Sequence, residues 1–513
     1  NPRPLDYSLY RELITAHIWS AGLQPLGYQP VRGELMQKVG NKPYISVNYT
    51  FDGLTPAGLP EDLCYKLNQY YEQKLRQDKT AHDKIEFEII FNTYDFMTDT
   101  RLKELAEYGF DDVEISQLRN ALFEIAKQTL EHYDEICEED LRSLGQLTEL
   151  RHELRKHTPL AETNVMKLYS YIDELLDSIK DHGTPQFTRQ ARCAFMARSF
   201  CRTLVEKGYF TKQEMDDFML SIPTVASEFE RDFDLYSHGK LSRDDFNHLY
   251  GHLRLGTYDI RSDSYRNIYF DVASANLTGN NKVKQEAKSL NLERLQVALD
   301  EAGIPVSPEK FIEFIKKATQ NREYFKFEFT KSLSLMLDVI VKLGEVMAIA
   351  REDMSYLEIQ DLLSYHSRDS YIQTIETRRR FYHVNSYLVL PEVIFDVGDI
   401  DVIDIDEARP NFITNKVVEA PIVNLDEDHD SDITGKIVVL TKADPGYDWI
   451  FAKDIAGFVT KYGGAASHMA IRCAEFGIPA AIGCGEKIYQ RIHRMQIMCL
   501  DCENGRITEK QSQ

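Results

Sequence analysis

The spacing of apolar residues changes near residue 380, and this change constrains the fold more than any other feature of the sequence. Most of residues 1–375 carry apolar residues at helical spacing. After residue 380, short runs rich in β-branched residues are separated by Gly, Pro and Asp. The pattern predicts a multidomain α+β protein. A large, mainly α-helical domain with a small sheet is expected at 1–380, followed by a compact α/β domain at 385–513.

Local signals predict where several helices begin and end. Gly303 is expected to end one helix, and Ser307 with Pro308 to begin the next. The most apolar long segment, 332–350, contains three charged residues and is therefore expected to be a buried helix and not a membrane span. Segment 164–180 has one apolar stripe, formed by Val165, Leu168, Tyr169, Ile172, Leu175, Leu176 and Ile179.

Two stretches of the helical part instead alternate with period two, and we expect them to form the small sheet. They are YISVNYTF (44–51) and HDKIEFEIIF (82–91). The polar face of this sheet is either a cleft wall or simply solvated. In the second domain, the predicted strands are SYLVLPEVIF, GKIVVLTKA, IAGFVT, PAAIG and QIMCLD.

The charge balance limits the partners of the protein. Its 60 Lys and Arg residues face 82 Asp and Glu residues, which gives a net charge of −22. A nucleic-acid or anionic-membrane binder needs a basic surface, so neither partner is expected. The chain begins without Met and without a signal peptide, from which we expect a fragment or a processed piece of a longer protein.

Cysteine and acidic residues do not form a recognisable metal site. Among eight cysteines, only Cys499 and Cys502 make a C-x-x-C, and no second pair lies nearby. This usage is typical of a reducing compartment, and we expect a cytoplasmic protein in which the N-x-T sequons at Asn48 and Asn276 are accidental. The acidic residues of segment 396–412 lack calcium-loop spacing and are expected to be solvated: Asp399, Asp401, Asp404 and Asp406.

The segment VTKYGGAASHMAIRCAEFGIPAAIG (459–483) is typical of a phosphate-carrying histidine. Gly463 and Gly464 permit a sharp turn and a close approach of an anion. A helix is expected from about Ser467, which places His468 in its first turn, where free N–H groups favour negative charge and a neutral imidazole. Arg472, one turn further on, is expected to neutralise a phosphate near His468.

A neutral imidazole is a competent nucleophile toward phosphorus. A Ser467–His468 hydrolase pair is a poorer interpretation, because neighbouring residues rarely aim nucleophile and base at each other and the chain has no G-x-S-x-G motif. A helix-terminal histidine without chemistry remains an open alternative on these grounds alone.

The same segment resembles the phosphohistidine loop of the phosphoenolpyruvate-utilising dikinase superfamily. The matching positions are Thr460, Gly463, Gly464, Ser467, His468, Ala470, Ile471, Glu475, Gly477, Ile478, Pro479 and Ala480. Ala474 stands where the family has Arg, and Arg472 is the residue that would supply that charge. The resemblance implies that 385–513 is a phosphohistidine swivelling domain. It also implies that His468 is the phosphorylated residue and that Thr460, Gly463, Gly464, Ser467 and Arg472 surround the phosphate.

In this superfamily an ATP-grasp domain phosphorylates the histidine with ATP and Mg²⁺, and AMP and phosphate are released. This chain has no recognisable ATP-grasp pattern, so we expect that domain upstream or in trans. Only 45 residues follow His468, too few for a pyruvate-binding barrel. The resemblance therefore implies that residues 1–380 bind the acceptor, as in rifamycin phosphotransferases and capsule-associated L-glutamine kinases.

The helical part is more similar to the glutamine-kinase group. The similarity rests on DYSLYRELITAHIW, HDKIEFEIIF and YGHLRLGTYDI. In the last segment a G-x-R-x-x-G-E-x-D pattern is matched except at Tyr258, where the family has Glu. The implied substrate-binding residues are His252, Arg254 and Asp259, together with His82, Lys84 and Glu86. Arg254 could grip a carboxylate, and Asp259 an ammonium group or a proton; a buried Arg–Asp pair that only stabilises a loop is the alternative.

The sequence thus predicts an ATP-dependent phosphotransferase that passes a phosphoryl group from His468 to a small polar acceptor. The best candidate acceptor is L-glutamine, phosphorylated on its amide nitrogen. Two alternatives stay open: an antibiotic phosphotransferase acting on rifamycins, and a non-enzymatic phosphohistidine carrier.

Overall fold

The computed structural model describes residues 2–157, 159–267, 289–385, 390–395, 410–427, 431–493 and 495–510. The predicted solvated aspartates at 399–406 and the sequon at Asn276 lie outside these ranges. The chain is a multidomain α+β protein, as predicted: helices dominate up to Asn385, and a seven-stranded sheet with two helices occupies the C-terminal part.

The N-terminal third is built from short helices around a two-stranded hairpin. Its strands are β1 (Met36–Val39) and β2 (Lys42–Ile45), which pair antiparallel. Several shorter helical turns connect the helices of this region, among them a 3-10 turn at Lys79–Asp83 and a π turn at Ile85–Ile89. The helices are α1 (Pro4–Tyr10), α2 (Ile18–Leu23), α3 (Val47–Leu54), α4 (Glu61–Gln77), α5 (Thr98–Arg101) and α6 (Asp112–Glu131).

Longer helices form the middle of the chain. They are α7 (Tyr133–Lys156), α8 (Val165–His182), α9 (Thr184–Glu206), α10 (Lys212–Leu220), α11 (Val225–Ser237), α12 (Arg243–Tyr250), α13 (Leu292–Ala302), α14 (Pro308–Val346), α15 (Arg351–Met354) and α16 (Arg368–Asn385). Helix α14 has 39 residues and packs against α7, α8 and α9, so its buried side chains join two large apolar clusters. Among the described helices, none is both long and apolar enough to cross a membrane.

Several predicted helix ends are confirmed. The predicted apolar stripe of α8 is buried except for the half-buried Val165. Asn164, for which we predicted no role, caps this helix by accepting a hydrogen bond from the backbone N–H of Met166. Gly303 ends α13 with φ of +67°. Ser307 caps α14, whose first residue is Pro308.

The two alternating stretches are not the strands that we predicted. Only Tyr44 and Ile45 of segment 44–51 lie in a strand, because the side chain of Ser46 caps the N–H of Tyr49 and begins α3. Segment 82–91 folds into the helical turns at 79–83 and 85–89, so the predicted strand there is wrong. Ile89, Ile90 and Phe91 are buried in the helical core, which satisfies the apolar residues without a partner strand.

The C-terminal sheet has the order β3-β7-β6-β5-β4-β8-β9. Its central strands β4 to β7 run parallel, while β3, β8 and β9 pair antiparallel at the two edges. The predicted strands at 435–443, 455–460, 479–483 and 496–501 are present, whereas the described residues 390–395 of the strand predicted at 386–395 form no strand. The strands are β3 (Asn411–Ile413), β4 (Val417–Asn424), β5 (Ile437–Lys442), β6 (Gly457–Tyr462), β7 (Ala480–Ile482), β8 (Ile497–Asp501) and β9 (Arg506–Lys510).

Apolar clusters cover both faces of this sheet. Helix α17 (His468–Phe476) packs on one face through Met469, Ala470 and Cys473. Helix α18 (Gly485–Ile492) covers the other through Tyr489 and Ile492. The two glycine-containing turns that lead into these helices follow the carboxyl ends of β6 and β7, the edge at which parallel sheets commonly present their functional groups.

The buried stripe of α8 gives a direct test of the helical packing. Leu176→Ala should lower the free energy of unfolding by about 2–5 kcal/mol, because the deleted side chain is buried and leaves a cavity. Met166→Ala on the same helix, whose side chain is 60% exposed, should change it by less than about 0.5 kcal/mol. Urea unfolding followed by circular dichroism measures both; equal losses would contradict the helix orientation.

Candidate active site

The predicted histidine loop lies at the junction between the sheet and the helical part. Strand β6 ends at Tyr462, and Gly463 follows with φ of +131°, a conformation that side chains other than glycine rarely adopt. Ser467 then caps α17 by accepting a hydrogen bond from the N–H of Ala470, and Gly477 ends this helix with φ of +62°. His468 is the first residue of α17, as the sequence predicted.

His468 lies between two carboxylates that come from different parts of the chain. Its Nε2 is 2.7 Å from both carboxylate oxygens of Asp448, which follows β5 in a 3-10 turn (Pro445–Ala452). Its Nδ1 is 3.7 Å from Oε2 of Glu323 on α14. Only 10% of the His468 side chain and 20% of the Glu323 side chain are exposed. The imidazole is therefore oriented by its own domain and faces an acid of the helical part.

A pocket opens from His468 into the helical part. Asp448 and Gly446 line it on the side of the sheet domain. On the helical side, α14 contributes the polar residues Glu323, Lys326, Thr330 and Ser334 to its wall. An apolar wall completes it, formed by Val225, Ala226, Phe229, Tyr250, Leu253 and Phe327. A histidine at the edge of a concave, mostly apolar pocket with few polar groups is a common arrangement for small-molecule chemistry.

The charges beside His468 keep Glu323 ionised. Burial of Glu323 opposes ionisation, but the neighbouring His468, Arg322 and Lys326 outweigh burial and lower the pKa of Glu323 to about 2. Asp444, also close to this site, behaves differently, because burial raises its pKa to about 6. Glu323 is thus a carboxylate at neutral pH, able to accept a proton or a hydrogen bond from a molecule in the pocket.

Arg472 does not contact His468 directly among the described interactions. Its guanidinium donates to Glu230 of α11 and to Glu475 at 2.7 Å, lies 3.9 Å from Asp448, and stacks 4.3 Å from the ring of Phe476. These carboxylates neutralise the charge that we expected to face a phosphate. Arg472 reaches His468 only through Asp448, which both residues approach.

The four other predicted phosphate-binding residues shape the loop through their backbone, a hydroxyl group or a helix cap. The hydroxyl of buried Thr460 accepts a hydrogen bond from the N–H of Gly483 at 3.1 Å and so joins the two glycine turns. A Cβ on Gly463 would lie 2.8 Å from Ala443. A Cβ on Gly464 would clash with the carboxylate of Asp83, and Ser467 serves as the cap described above.

Residues of the helical part contact the sheet domain at several points in and around the histidine loop. The N–H of Ala465 donates to the Asp83 carboxylate at 3.2 Å. The hydroxyl of Tyr265 donates to the carbonyl of Gly446, whose Cα also packs against the backbone of Arg254 and Leu255. The ion pair between Glu230 and Arg472 adds a charged contact. His468 is consequently held in the docked position by contacts outside its own domain.

Among the predicted substrate-binding residues, His252 and Arg254 line the pocket, but the donors of Arg254 are already engaged. Its guanidinium donates to Ser334, to the carbonyl of Ser262 at 2.6 Å and to Asp338, with which it forms a buried ion pair. This is the buried Arg–Asp arrangement that we considered as the alternative, with Asp338 and not Asp259 as the partner.

Asp259 does not line this pocket. Its carboxylate pairs with Arg261 at 2.6 and 2.9 Å. Burial opposes its ionisation, but Arg261 keeps the pKa of Asp259 below its usual value. Tyr258, where the family pattern has Glu, is packed edge-to-face against Tyr10, with ring centroids 5.3 Å apart.

The predicted residues of segment 82–86 also lie outside the lining of the pocket. Nδ1 of His82 faces the carbonyl of Lys79 at 2.9 Å, and Lys84 begins the π turn. Glu86 forms an ion pair with buried Arg192 at 2.5 Å. Their neighbour Asp83, which we did not single out, is the residue of this segment that contacts the histidine loop.

Sequence reasoning missed Glu323, Lys326, Asp448 and Asp83. Glu323 and Lys326 lie three residues apart on α14, a long helix with many buried apolar residues, and charged residues on such a helix are a signal of a polar site. Asp448 lies in ADPGYDWIF directly after a parallel strand, where site residues are common. Asp83 had no such signal, because its role depends on the docking of two distant segments.

The described residues contain no recognisable cluster of metal-binding side chains. No group of three or more His, Cys, Asp or Glu side chains among them is arranged to hold a metal ion, and Cys499 and Cys502 are free thiols. ATP and Mg²⁺, which the family resemblance implies, have no donor set of this kind in the described part of the chain. We therefore assign no step to the nucleotide or the metal on these residues.

Comparisons with known proteins agree with this geometry. Residues 433–505, which contain His468, match the family of the PEP-utilising enzyme, mobile domain. The match shows that this part of the chain is similar to the mobile domain of PEP-utilising enzymes.

Two curated relatives are rifampicin phosphotransferases. The protein from Bacillus subtilis is 27% identical over 213 residues, covering 37% of this chain and 24% of the relative. The protein from Bacillus cereus is 26% identical over 212 residues, again 37% of this chain and 24% of the relative. The matched part of this chain thus spans about a quarter of the length of these relatives.

His252, beside the pocket, should make folding sensitive to acid. Burial, followed by the charges of Lys331, Arg151, Arg266 and Arg155, lowers the pKa of His252 well below 6.5. The unfolded chain binds a proton near pH 6.5 and the folded chain does not, so stability is lost as pH falls below 6.5. His252→Phe should remove about 1.4 kcal/mol of the stability loss between pH 7.5 and pH 5.5.

Urea midpoints at the two pH values measure this effect. His132→Phe, at a position whose side chain is 57% exposed, is the matched control and should leave the pH dependence unchanged. An unchanged pH dependence in His252→Phe would contradict a neutral, buried imidazole at this position.

Proposed function

We propose that this chain is the acceptor-binding and phosphohistidine part of an ATP-dependent phosphotransferase, and that His468 carries the phosphoryl group. The observation that carries the proposal is the position of His468. It begins a helix, is oriented by Asp448, and faces a pocket whose far wall belongs to the helical part. The match to the PEP-utilising mobile domain and the rifampicin phosphotransferase relatives support the same reaction class.

In the proposed transfer step, a nucleophilic oxygen or nitrogen of the acceptor attacks the phosphorus atom on His468. The bond between phosphorus and the imidazole nitrogen breaks, and its electron pair returns to the ring. The proton of the acceptor passes to the Glu323 carboxylate, which lines the helical side of the pocket, 3.7 Å from Nδ1 of His468. Lys326 lies three residues after Glu323 on the same helix and also lines the pocket. Its ammonium group would attract the negative charge of the phosphoryl oxygens.

The phosphoryl group itself would come from ATP, with release of AMP and phosphate. In the superfamily an ATP-grasp domain performs this step, and we propose that such a domain acts on His468 within the same protein or in trans. The docked contacts of Asp83, Glu230 and Tyr265 would then have to open, so that His468 reaches the donor.

For the acceptor, we propose a small polar metabolite, with L-glutamine as the specific candidate through its amide nitrogen. The guanidinium of Arg254 already binds Asp338 and Ser334, so the carboxylate of this acceptor would need a different cation. Lys326 lines the pocket and could serve as that cation. Rifamycins are the second candidate. Two observations favour rifamycins. Phe229 and Phe327 give the pocket an aromatic wall, and the similar curated proteins are rifampicin phosphotransferases.

Loss of the imidazole tests the proposal most directly. Phosphoramidate, a small phosphoryl donor for histidine, should label His468 of this chain, because the ring nitrogen is the nucleophile. Peptide mass spectrometry at neutral pH would locate the label. His468→Asn should lose it, whereas His493→Asn in the same domain should keep it.

The labelled protein is then incubated with L-glutamine or with rifampicin, and phosphorylated acceptor is measured. Transfer to either compound supports the enzyme and identifies the acceptor. If the phosphoryl label stays on His468 in the presence of L-glutamine, rifampicin and a broad panel of metabolites, the result favours the non-enzymatic carrier. A label that survives in His468→Asn contradicts the assignment of the nucleophile.

Glu323→Gln tests the proton acceptor separately. It should leave the labelling of His468 intact but slow transfer to the acceptor by about 10²–10⁴-fold, the usual range for a general base. Glu313→Gln, an exposed change on the same helix, should transfer at the normal rate. An unchanged transfer rate in Glu323→Gln would remove this residue from the mechanism.

A further inference from the structure

A second pocket, rich in cationic side chains, lies behind His252. Its lining includes Arg151 and Arg155 of α7 and Lys331 of α14. Arg266, which follows α12 in the chain, also lines it. His152, His248 and His252 complete the lining, which contains no acidic residue. We call this the basic pocket. In a protein with a net charge of −22, such a concentration of positive charge needs a specific explanation.

Part of this charge has no partner among the residues that the structure describes. Arg151 and Lys331 both pair with Glu328, which partly neutralises them. Arg155 and Arg266 form no ion pair within the described ranges. Burial, and then the charges of Arg266 and Arg151, lowers the pKa of Arg155, so these cations repel one another in the folded protein. Repelling cations around a cavity are stabilised when an anion binds between them.

His252 provides an independent sign of a polar ligand. The residue is only 6% exposed, and its Nε2 is buried without a hydrogen-bond partner among the described residues. A buried polar atom without a partner destabilises the folded protein, and a hydrogen bond to a ligand would recover this loss. The ring packs edge-to-face on Phe327, with centroids 4.6 Å apart, and so has a fixed orientation.

The two pockets share His252. This residue lines the basic pocket and also the pocket that contains His468. His252 is therefore the side chain at which the two pockets meet, and a molecule that reaches both His468 and the cations Arg155 and Arg266 has to pass beside it. Arg151, Arg155 and Lys331 would then lie at one end of this molecule and His468 at the other.

We propose that the basic pocket binds a phosphate or carboxylate group of the acceptor, while the reacting group of the same molecule lies beside His468. This inference rests on the proposed function and deepens it, because it makes the acceptor an anionic metabolite. Guanidinium groups bind phosphate and carboxylate oxygens in a bidentate manner, so Arg155 and Arg266 fix the anionic end. Anchoring one end of the acceptor orients the other for attack on the phosphoryl group.

Direct binding of inorganic phosphate tests the site without any phosphoryl transfer. Titration calorimetry at constant ionic strength should show saturable binding to the intact chain. Arg155→Ala/Arg266→Ala should weaken it at least about tenfold, because two of the cations are removed. Arg142→Ala, an exposed change on the same helix α7, is the matched control and should bind phosphate normally. Absence of binding to the unmodified chain, or equal binding to the double variant, overturns the proposal.

His468→Asn separates this proposal from the proposed function. The variant cannot carry a phosphoryl group but should bind phosphate with unchanged affinity, since His468 does not line the basic pocket. If the unmodified chain binds phosphate but is not labelled at His468, the proposed function and the acceptor role are rejected, and the basic pocket remains an anion site. The urea midpoint of the double variant should be equal to or higher than that of the unmodified chain. This result shows that the variant is folded and that its weaker phosphate binding is not caused by unfolding.

Competition distinguishes an acceptor subsite from a separate effector site. If the anion belongs to the acceptor, phosphate should raise the KM for whichever acceptor withdraws the phosphoryl group and leave kcat unchanged. The double variant should likewise raise KM more than it lowers kcat. If phosphate changes kcat but not KM, the basic pocket is an effector site and the assignment to the acceptor is overturned.

Discussion

The position of His468 between Asp448 and Glu323 is the interaction on which the candidate site depends. One carboxylate belongs to the domain that carries the histidine, and the other belongs to the longest helix of the helical part. Asp448 can orient the ring wherever that domain lies, whereas Glu323 meets it only in the docked position. The site is thus divided between a part that carries the nucleophile and a part that supplies the pocket.

The charges around this centre are unevenly distributed. Glu230, Glu475 and Asp448 surround Arg472, and Asp448 and Glu323 surround His468. A phosphoryl group on His468 would add negative charge close to these carboxylates, which Lys326, Arg322 and Arg472 would have to balance. In the unmodified protein Glu230 and Glu323 of the helical part instead favour the docked arrangement, because Glu230 pairs with Arg472 and Glu323 lies 3.7 Å from His468.

The sequence predicted those features that depend on neighbouring residues. The cap of α17 by Ser467, its end at Gly477 and the start of α14 at Ser307 are local, because each needs only a few consecutive residues. Segment 82–91 was misjudged because alternation of apolar and charged residues also suits a short helical turn whose apolar end enters a core.

Residues whose roles depend on distant partners could not be assigned from the sequence. Arg254 has the residue type of a carboxylate-binding group, but its partner Asp338 lies 84 residues away in the chain. Asp83 contacts a loop that lies 382 residues away. Neither contact leaves a local pattern, since both arise from packing between elements that are separated in the chain.

Helix α14 explains how two pockets of different chemistry can serve one molecule. Glu323, Lys326, Thr330 and Ser334 recur every three or four residues and so form one stripe along the pocket of His468. At about 1.5 Å per residue this stripe is roughly 16 Å long, which suits a small metabolite and not only a phosphoryl group. Lys331, one residue beyond Thr330, belongs to a neighbouring face and lines the basic pocket. A single rigid helix therefore fixes the distance between the proton acceptor and the proposed anion site, and this distance limits the length of any acceptor that reaches both.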